Sequence, residues 1–290
     1  MKIGLIDVDG HNGFPNLALM KLSAWHKQQG DSVGWWNGFE HYNRVYMSKV
    51  FTFTPDEDTV IDADEIIRGG TGYKDYTPLP DAIEATFPDY SIYPAVDYAI
   101  GFLTRGCIRK CPWCVVPAKE GYIHAAGSWE QIKRPDSRKI VFLDNNVLAS
   151  DHGLAQIDDM GGRKIWVDFN QGLDARMITP EVAAMLKRLR WIKYIRVSCD
   201  TDAMIPVIEQ ALSYLREAGS KTPVFCYALV QDIDSALKRV LALRDMGVDP
   251  FAQPYRDYEN HEPAAELKRF ARWVNHKAIF KTVKWEEYTG

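Results

Sequence analysis

The chain has 290 residues, enough for one large domain or two modest ones around a substantial core. Its apolar content of 46%, charged content of 26%, net charge of −4 and pI near 6.0 are ordinary for a globular protein. They carry no global signature of nucleic-acid or membrane binding. No apolar run approaches the length of a membrane span, and the five cysteines are an odd number, so a cytoplasmic, reducing setting is expected.

Helix and strand signals alternate along the sequence, which predicts an α/β protein with parallel strands. Lys2–Val8 reads as a buried strand, and Asp9, Gly10, His11, Asn12 and Gly13 form a turn-rich loop. Leu17–Gln29 has the spacing of a helix stopped by Gly30. Strands are expected at Asp31–Trp36, Val45–Phe53 and Glu65–Arg68, the last followed by Gly69, Gly70, Thr71 and Gly72. This order is Rossmann-like, although every glycine in it also serves plain turn chemistry. The stretch Asp75–Ala95, with Pro78, Pro80, Pro88 and Pro94, reads as a linker.

Tyr98–Leu103 is the next expected strand, and it delivers Cys107-Ile108-Arg109-Lys110-Cys111-Pro112-Trp113-Cys114. Three of the five cysteines stand here in a Cys-x3-Cys-x2-Cys run. Closely spaced thiolates on a loop converge on soft metals and iron–sulfur clusters. A four-iron cluster wants four ligands, so three thiolates leave one iron open to another molecule. Other readings share the spacing. Cys107, Cys111 and Cys114 would also lie on one face of a helix, against which Gly106 and Pro112 argue. They could form a zinc site completed by His124, or be unrelated buried cysteines. Cys199 and Cys226 lack companions at ligand spacing and read as small buried hydrophobes.

Five further strands follow: Lys139–Leu143, Lys164–Phe169, Tyr194–Ser198, Val224–Val230 and Asp249–Tyr255. Helices are expected at Ser128–Lys133, Pro180–Leu189, Val207–Glu217 and Ile233–Met246, and a last one at Glu262–His276. Polar groups end several strands: Asp144, Asn145 and Asn146, then Asn170, Gln171, Asp174 and Arg176, then Ser198 and Asp200. In barrel-like folds that end carries the chemistry. Gln231 after the fifth strand, and Gln253, Tyr255 and Arg256 at the end of the sixth, are candidates to face a substrate. The basic stretch from Lys187 to Arg196 reads as a solvated helix end, so nucleic acid is possible but not indicated.

With Trp113 in its aromatic slot, the cysteine run resembles the cluster loop of the radical S-adenosylmethionine (radical SAM) superfamily. The resemblance covers over half the chain and keeps the order of six β/α units. It implies a partial (β/α)6 TIM-like barrel over residues 91–257, preceded by a small Rossmann-like domain over 1–90 and followed by a capping helix and tail over 258–290. It implies a [4Fe–4S] cluster on Cys107, Cys111 and Cys114, with SAM chelating the open iron. SAM would then lie with its adenine near Trp113, its amino group near Asp144, Asn145 and Asn146, its carboxylate near Arg176 and its ribose near Ser198 and Asp200, with Asn170 facing the site. A guanidinium fork matches a carboxylate, yet Asp174 could instead neutralise Arg176. A flavodoxin or ferredoxin would be the electron donor. The expected outcome is a 5′-deoxyadenosyl radical that abstracts hydrogen from a substrate the sequence does not name. The N-terminal segment resembles a reduced form of the cobalamin-binding domain of one branch of that superfamily. Its Asp9-Gly10-His11-Asn12-Gly13 loop places the glycine one residue early, so cobalamin is not expected. The alternatives are a cobalamin-dependent methylase of the same superfamily and a non-catalytic iron–sulfur or zinc module.

Overall fold

The computed structural model describes residues 1–10, 13–257 and 261–290, and the His11 of the first turn-rich loop lies outside them. The chain divides into two compact units, Met1–Asp97 and Tyr98–Gly290. Both are mixed α/β with parallel sheets, as the alternating signals predict.

In the first unit, strands β1 (Lys2–Asp7), β2 (Ser32–Trp35), β3 (Tyr42–Ser48) and β4 (Ala63–Gly69) form a parallel sheet in the order β2-β1-β3-β4. Helix α1 (Leu17–Gln28) connects the first two and is capped by Asn16, whose side chain accepts from the Leu19 N–H at 3.3 Å. A one-turn helix, α2 (Asp81–Glu84), follows β4. Strand β3 starts before the expected Val45 and stops well short of Phe53. The cause is Asp9, whose carboxylate accepts the N–H groups of Val50 (2.5 Å) and Phe51 (3.4 Å) and the hydroxyl of Thr54. The two backbone N–H groups are thereby withdrawn from the sheet. At Gly70 φ is +103°, and a Cβ would meet the Lys49 carbonyl oxygen at 2.6 Å, so this turn requires glycine.

The second unit begins with β5 (Ala99–Gly101), a short antiparallel hairpin of β6 (Thr104–Arg105) and β7 (His124–Ala125), and the one-turn helices α3 (Val116–Lys119) and α4 (Trp129–Ile132). Then come β8 (Lys139–Phe142), α5 (Asp151–Met160), β9 (Trp166–Phe169), α6 (Pro180–Arg188) and the two-residue β10 (Arg190–Trp191). The chain continues through β11 (Ile195–Ser198), α7 (Met204–Glu217), β12 (Val224–Val230), α8 (Ile233–Asp245) and β13 (Asp249–Pro254). Helices α9 (Ala265–Asn275) and α10 (Lys277–Thr282) end the unit. Its described strands form two larger parallel sheets, β10-β9-β8-β5 and β11-β12-β13, rather than one closed barrel. A single parallel bridge, Leu173 to Val197, joins the segment after β9 to β11.

Alternation sets the more buried side of β11 and β12, whereas β8 and β9 bury successive residues on both faces. Ile140, Phe142, Val167, Phe169, Ile195 and Val197 enter one core with the helices, and Cys199 and Cys226 are fully buried in it. Ala228, Val230 and Ala252 pack instead with Phe270, Trp273 and Phe280 of α9 and α10. Burying each large apolar side chain contributes about 1.5–3 kcal/mol. Because β5, β8 and β9 pair in parallel, with Gly101 beside Phe142 and Phe142 beside Phe169, their carboxyl ends emerge together. That end carries the cysteine loop.

Candidate cofactor site at the carboxyl ends of the strands

The run from Cys107 to Cys114 is irregular, not helical, so its three thiols do not form a helix face. Gly106 starts it at φ +79°, where a Cβ would lie 2.5 Å from the Tyr122 carbonyl oxygen. The Cys107 N–H donates to the Gly121 carbonyl at 3.2 Å, and the Cys114 N–H to that of Cys111 at 3.0 Å. All three cysteines are unbridged and half-buried. They lie near enough to influence one another electrostatically, and burial pushes the Cys111 and Cys114 thiols up, with Arg176 opposing at Cys111.

Three buried carboxylates anchor this loop. Asp144, immediately past β8, accepts from the N–H of Leu103 at 3.1 Å and from the N–H and hydroxyl of Thr104 at 2.5 and 2.7 Å. It is 1% exposed, and burial pushes its carboxyl up to about 6 despite those bonds. Glu120 accepts from the Gly106 N–H at 2.9 Å and the Asn145 amide at 2.8 Å, with Arg105 3.7 Å away. Asp174 takes Nε of Arg109 at 3.0 Å, Nε of Arg176 at 2.6 Å and the amide of Asn146 at 3.3 Å. Burial would raise the Asp174 carboxyl, but the two guanidiniums outweigh it and hold it below the ordinary range.

Each expected site residue can now be placed. Asp144 faces the start of the cysteine loop, with both oxygens engaged. Asn145 is held by Glu120. Asn146 is 2% exposed and donates to the Cys107 sulfur at 3.5 Å, while its own carbonyl oxygen has no partner. Arg176 is engaged by Asp174, the alternative that its sequence context left open, and its side chain is 39% exposed. Asn170 accepts the Tyr227 hydroxyl through its backbone carbonyl at 2.9 Å. Ser198 bonds the Asp200 carboxyl, which also accepts the Leu229 N–H at 3.3 Å and is raised by burial. Trp113 is half-buried, Tyr255 and Arg256 likewise, and Gln253 is exposed. Glu120, Arg109 and Asp174 as a bracket were not expected. No local pattern marks Glu120, because its partners stand 14 and 25 residues away.

His124 sits exposed on β7, its Nδ1 3.0 Å from the Tyr122 carbonyl. Among the described residues no three His, Cys, Asp or Glu side chains are gathered as a ready-made site for a single ion. A cluster is less demanding, since it takes thiolates at the corners of a multi-atom body. The donor set suits one: three half-buried thiols on one loop, N–H donors aimed at a sulfur, and the Arg176 guanidinium to balance thiolate charge. No family model and no curated protein sequence matches this chain.

Proposed function

We propose that the protein is a radical SAM enzyme, with Cys107, Cys111 and Cys114 as ligands of a [4Fe–4S] cluster and SAM at the iron they leave open. The observation that carries this reading is the company the cysteine loop keeps. The loop follows β5 and the short β6, and the polar segments that end the neighbouring strands β8 and β9 are tied to it and to its entry through Asp174 and Asp144. We infer further that β5, β8, β9, β11, β12 and β13 are six successive β/α units of an open, barrel-like wall. When bound, such a cluster would supply the one electron needed for reductive cleavage of SAM, and a flavodoxin or ferredoxin would replace that electron.

The protein's own residues divide the work. Asp144 and Glu120 hold the backbone of the loop, so that the thiols are positioned before anything binds. Of the three residues expected at the SAM ammonium, Asn146 has a buried oxygen without a donor, and an ammonium satisfies such an acceptor. Arg176 keeps positive charge near Cys107 and Cys111 while paired to Asp174. Its partly exposed guanidinium retains donors for a carboxylate.

Anaerobic reconstitution with iron and sulfide tests the proposal. A brown protein is expected, whose reduced EPR spectrum changes when SAM is added and which forms 5′-deoxyadenosine under reduction. A colourless protein, or a cluster indifferent to SAM, refutes it.

A further inference from the structure

Asn146 has a side chain that the fold does not use where asparagine is most often used. It stands at the N-cap of the short 3-10 turn Val147–Ala149, yet its side chain makes no capping hydrogen bond. Instead the side chain is buried beside the cysteine loop. Its amide nitrogen lies 3.5 Å from the Cys107 sulfur and 3.3 Å from Oδ2 of Asp174. The ionised Asp174 can only accept, so it dictates which way the amide points. With its NH2 group directed at Asp174 and Cys107, the amide oxygen is left buried and unpartnered. A buried polar atom without a partner is costly, so this orientation is held against a penalty.

Cys107 consequently receives two N–H donors, the backbone N–H of Arg109 at 3.3 Å and the Asn146 amide. Among the described residues no other side-chain amide donates to a sulfur of the three. A hydrogen bond to a ligating sulfur withdraws electron density from it and favours the reduced, more negative state of a cluster. We infer that Asn146 is a positioning residue for Cys107, and that its N–H···S bond raises the reduction potential of the cluster bound there. The inference rests on the cluster reading above. Asp174 contributes indirectly, by fixing the amide's orientation.

The test uses the full chain, reconstituted, with dithionite as one-electron reductant and EPR as the readout of reduced cluster. Asn146→Leu removes the donor at similar volume, and Asn146→Asp replaces it with an acceptor. Both variants are expected to load wild-type amounts of iron and to need a lower potential for half-reduction. At fixed potential the reduced-to-oxidised ratio should drop about tenfold, equivalent to about 59 mV for one electron. An unchanged midpoint at full iron content overturns the inference. So does loss of iron from both variants while their circular dichroism and melting stay those of wild type, since Asn146 would then act in assembly. Should the variants fail to fold, wild-type protein labelled with 15N at its asparagine amides must show a 15N coupling to the reduced cluster, and absence of that coupling overturns the inference. If wild-type protein loads no cluster at all, the parent reading fails and this one with it.

Discussion

Asp144 carries a stability signature that can be read without any cofactor. Burial raises its carboxyl from 3.8 to about 6 in the folded chain. The folded state therefore holds the proton more tightly than the unfolded state. That contribution is fully present below about pH 4 and is lost as pH rises through about 6. Its size is about 3 kcal/mol, from roughly two pK units at 1.36 kcal/mol each. Asn cannot titrate. The wild-type urea midpoint, measured relative to that of Asp144→Asn, is thus expected to fall between about pH 4 and pH 7. A difference that is constant with pH contradicts this. The cysteines give the complementary residue-scale test. Single Cys→Ser changes at 107, 111 and 114 should each remove bound iron after reconstitution. The melting of the metal-free chain should shift by less than about 1 kcal/mol equivalent, because the thiols are half-buried and form no disulfide.

Among the elements, the cysteine loop depends on its entry turn. Gly106→Ala puts a side chain at positive φ and against the Tyr122 carbonyl. The expected cost is about 1–3 kcal/mol from backbone strain, with more from the clash, seen as a lower urea midpoint and weaker iron retention. Strands were the legible part of this unit. Ile140, Phe142, Val167, Phe169, Ile195 and Val197 sit on short apolar-rich runs, and the observed strands fall within a few residues of the expected ones. Helix α5 was not foreseen. Its sequence, DHGLAQIDDM, has a buried Gly153 near its start and two acids near its end, and buries only Ile157 and Met160 among large apolar side chains. The Ser150 cap, accepting from the Gly153 N–H at 3.3 Å, was the available local signal. The β6–β7 hairpin was missed because each strand is two residues long. At the candidate site, the sequence marked polar residues at strand ends but not who bonds whom. Asp144 was expected to face an ammonium. A short carboxylate beside three unpaired donors at Leu103 and Thr104 is taken by them first, and that proximity exists only once β5 and β8 pair.

For the whole molecule, the core of Tyr98–Gly290 is built from its own strands and helices. A fragment beginning at Tyr98 is expected to fold cooperatively by itself, with one urea transition and the iron capacity of the full chain. A fragment that is unfolded in the absence of denaturant would contradict this. No helix among the described residues is long and apolar enough to cross a membrane. The grip of Asp144 on Leu103 and Thr104 finally sets a timescale as well as a position. Amide hydrogens bonded to a buried carboxylate trade with solvent deuterium only when the surrounding structure opens. The Leu103 and Thr104 amides therefore act as a clock on how often the cysteine loop comes away from its strands. Where reclosing is slower than chemical exchange, their exchange rate equals the rate of opening, and that opening rate is the ceiling for anything that requires the loop to detach.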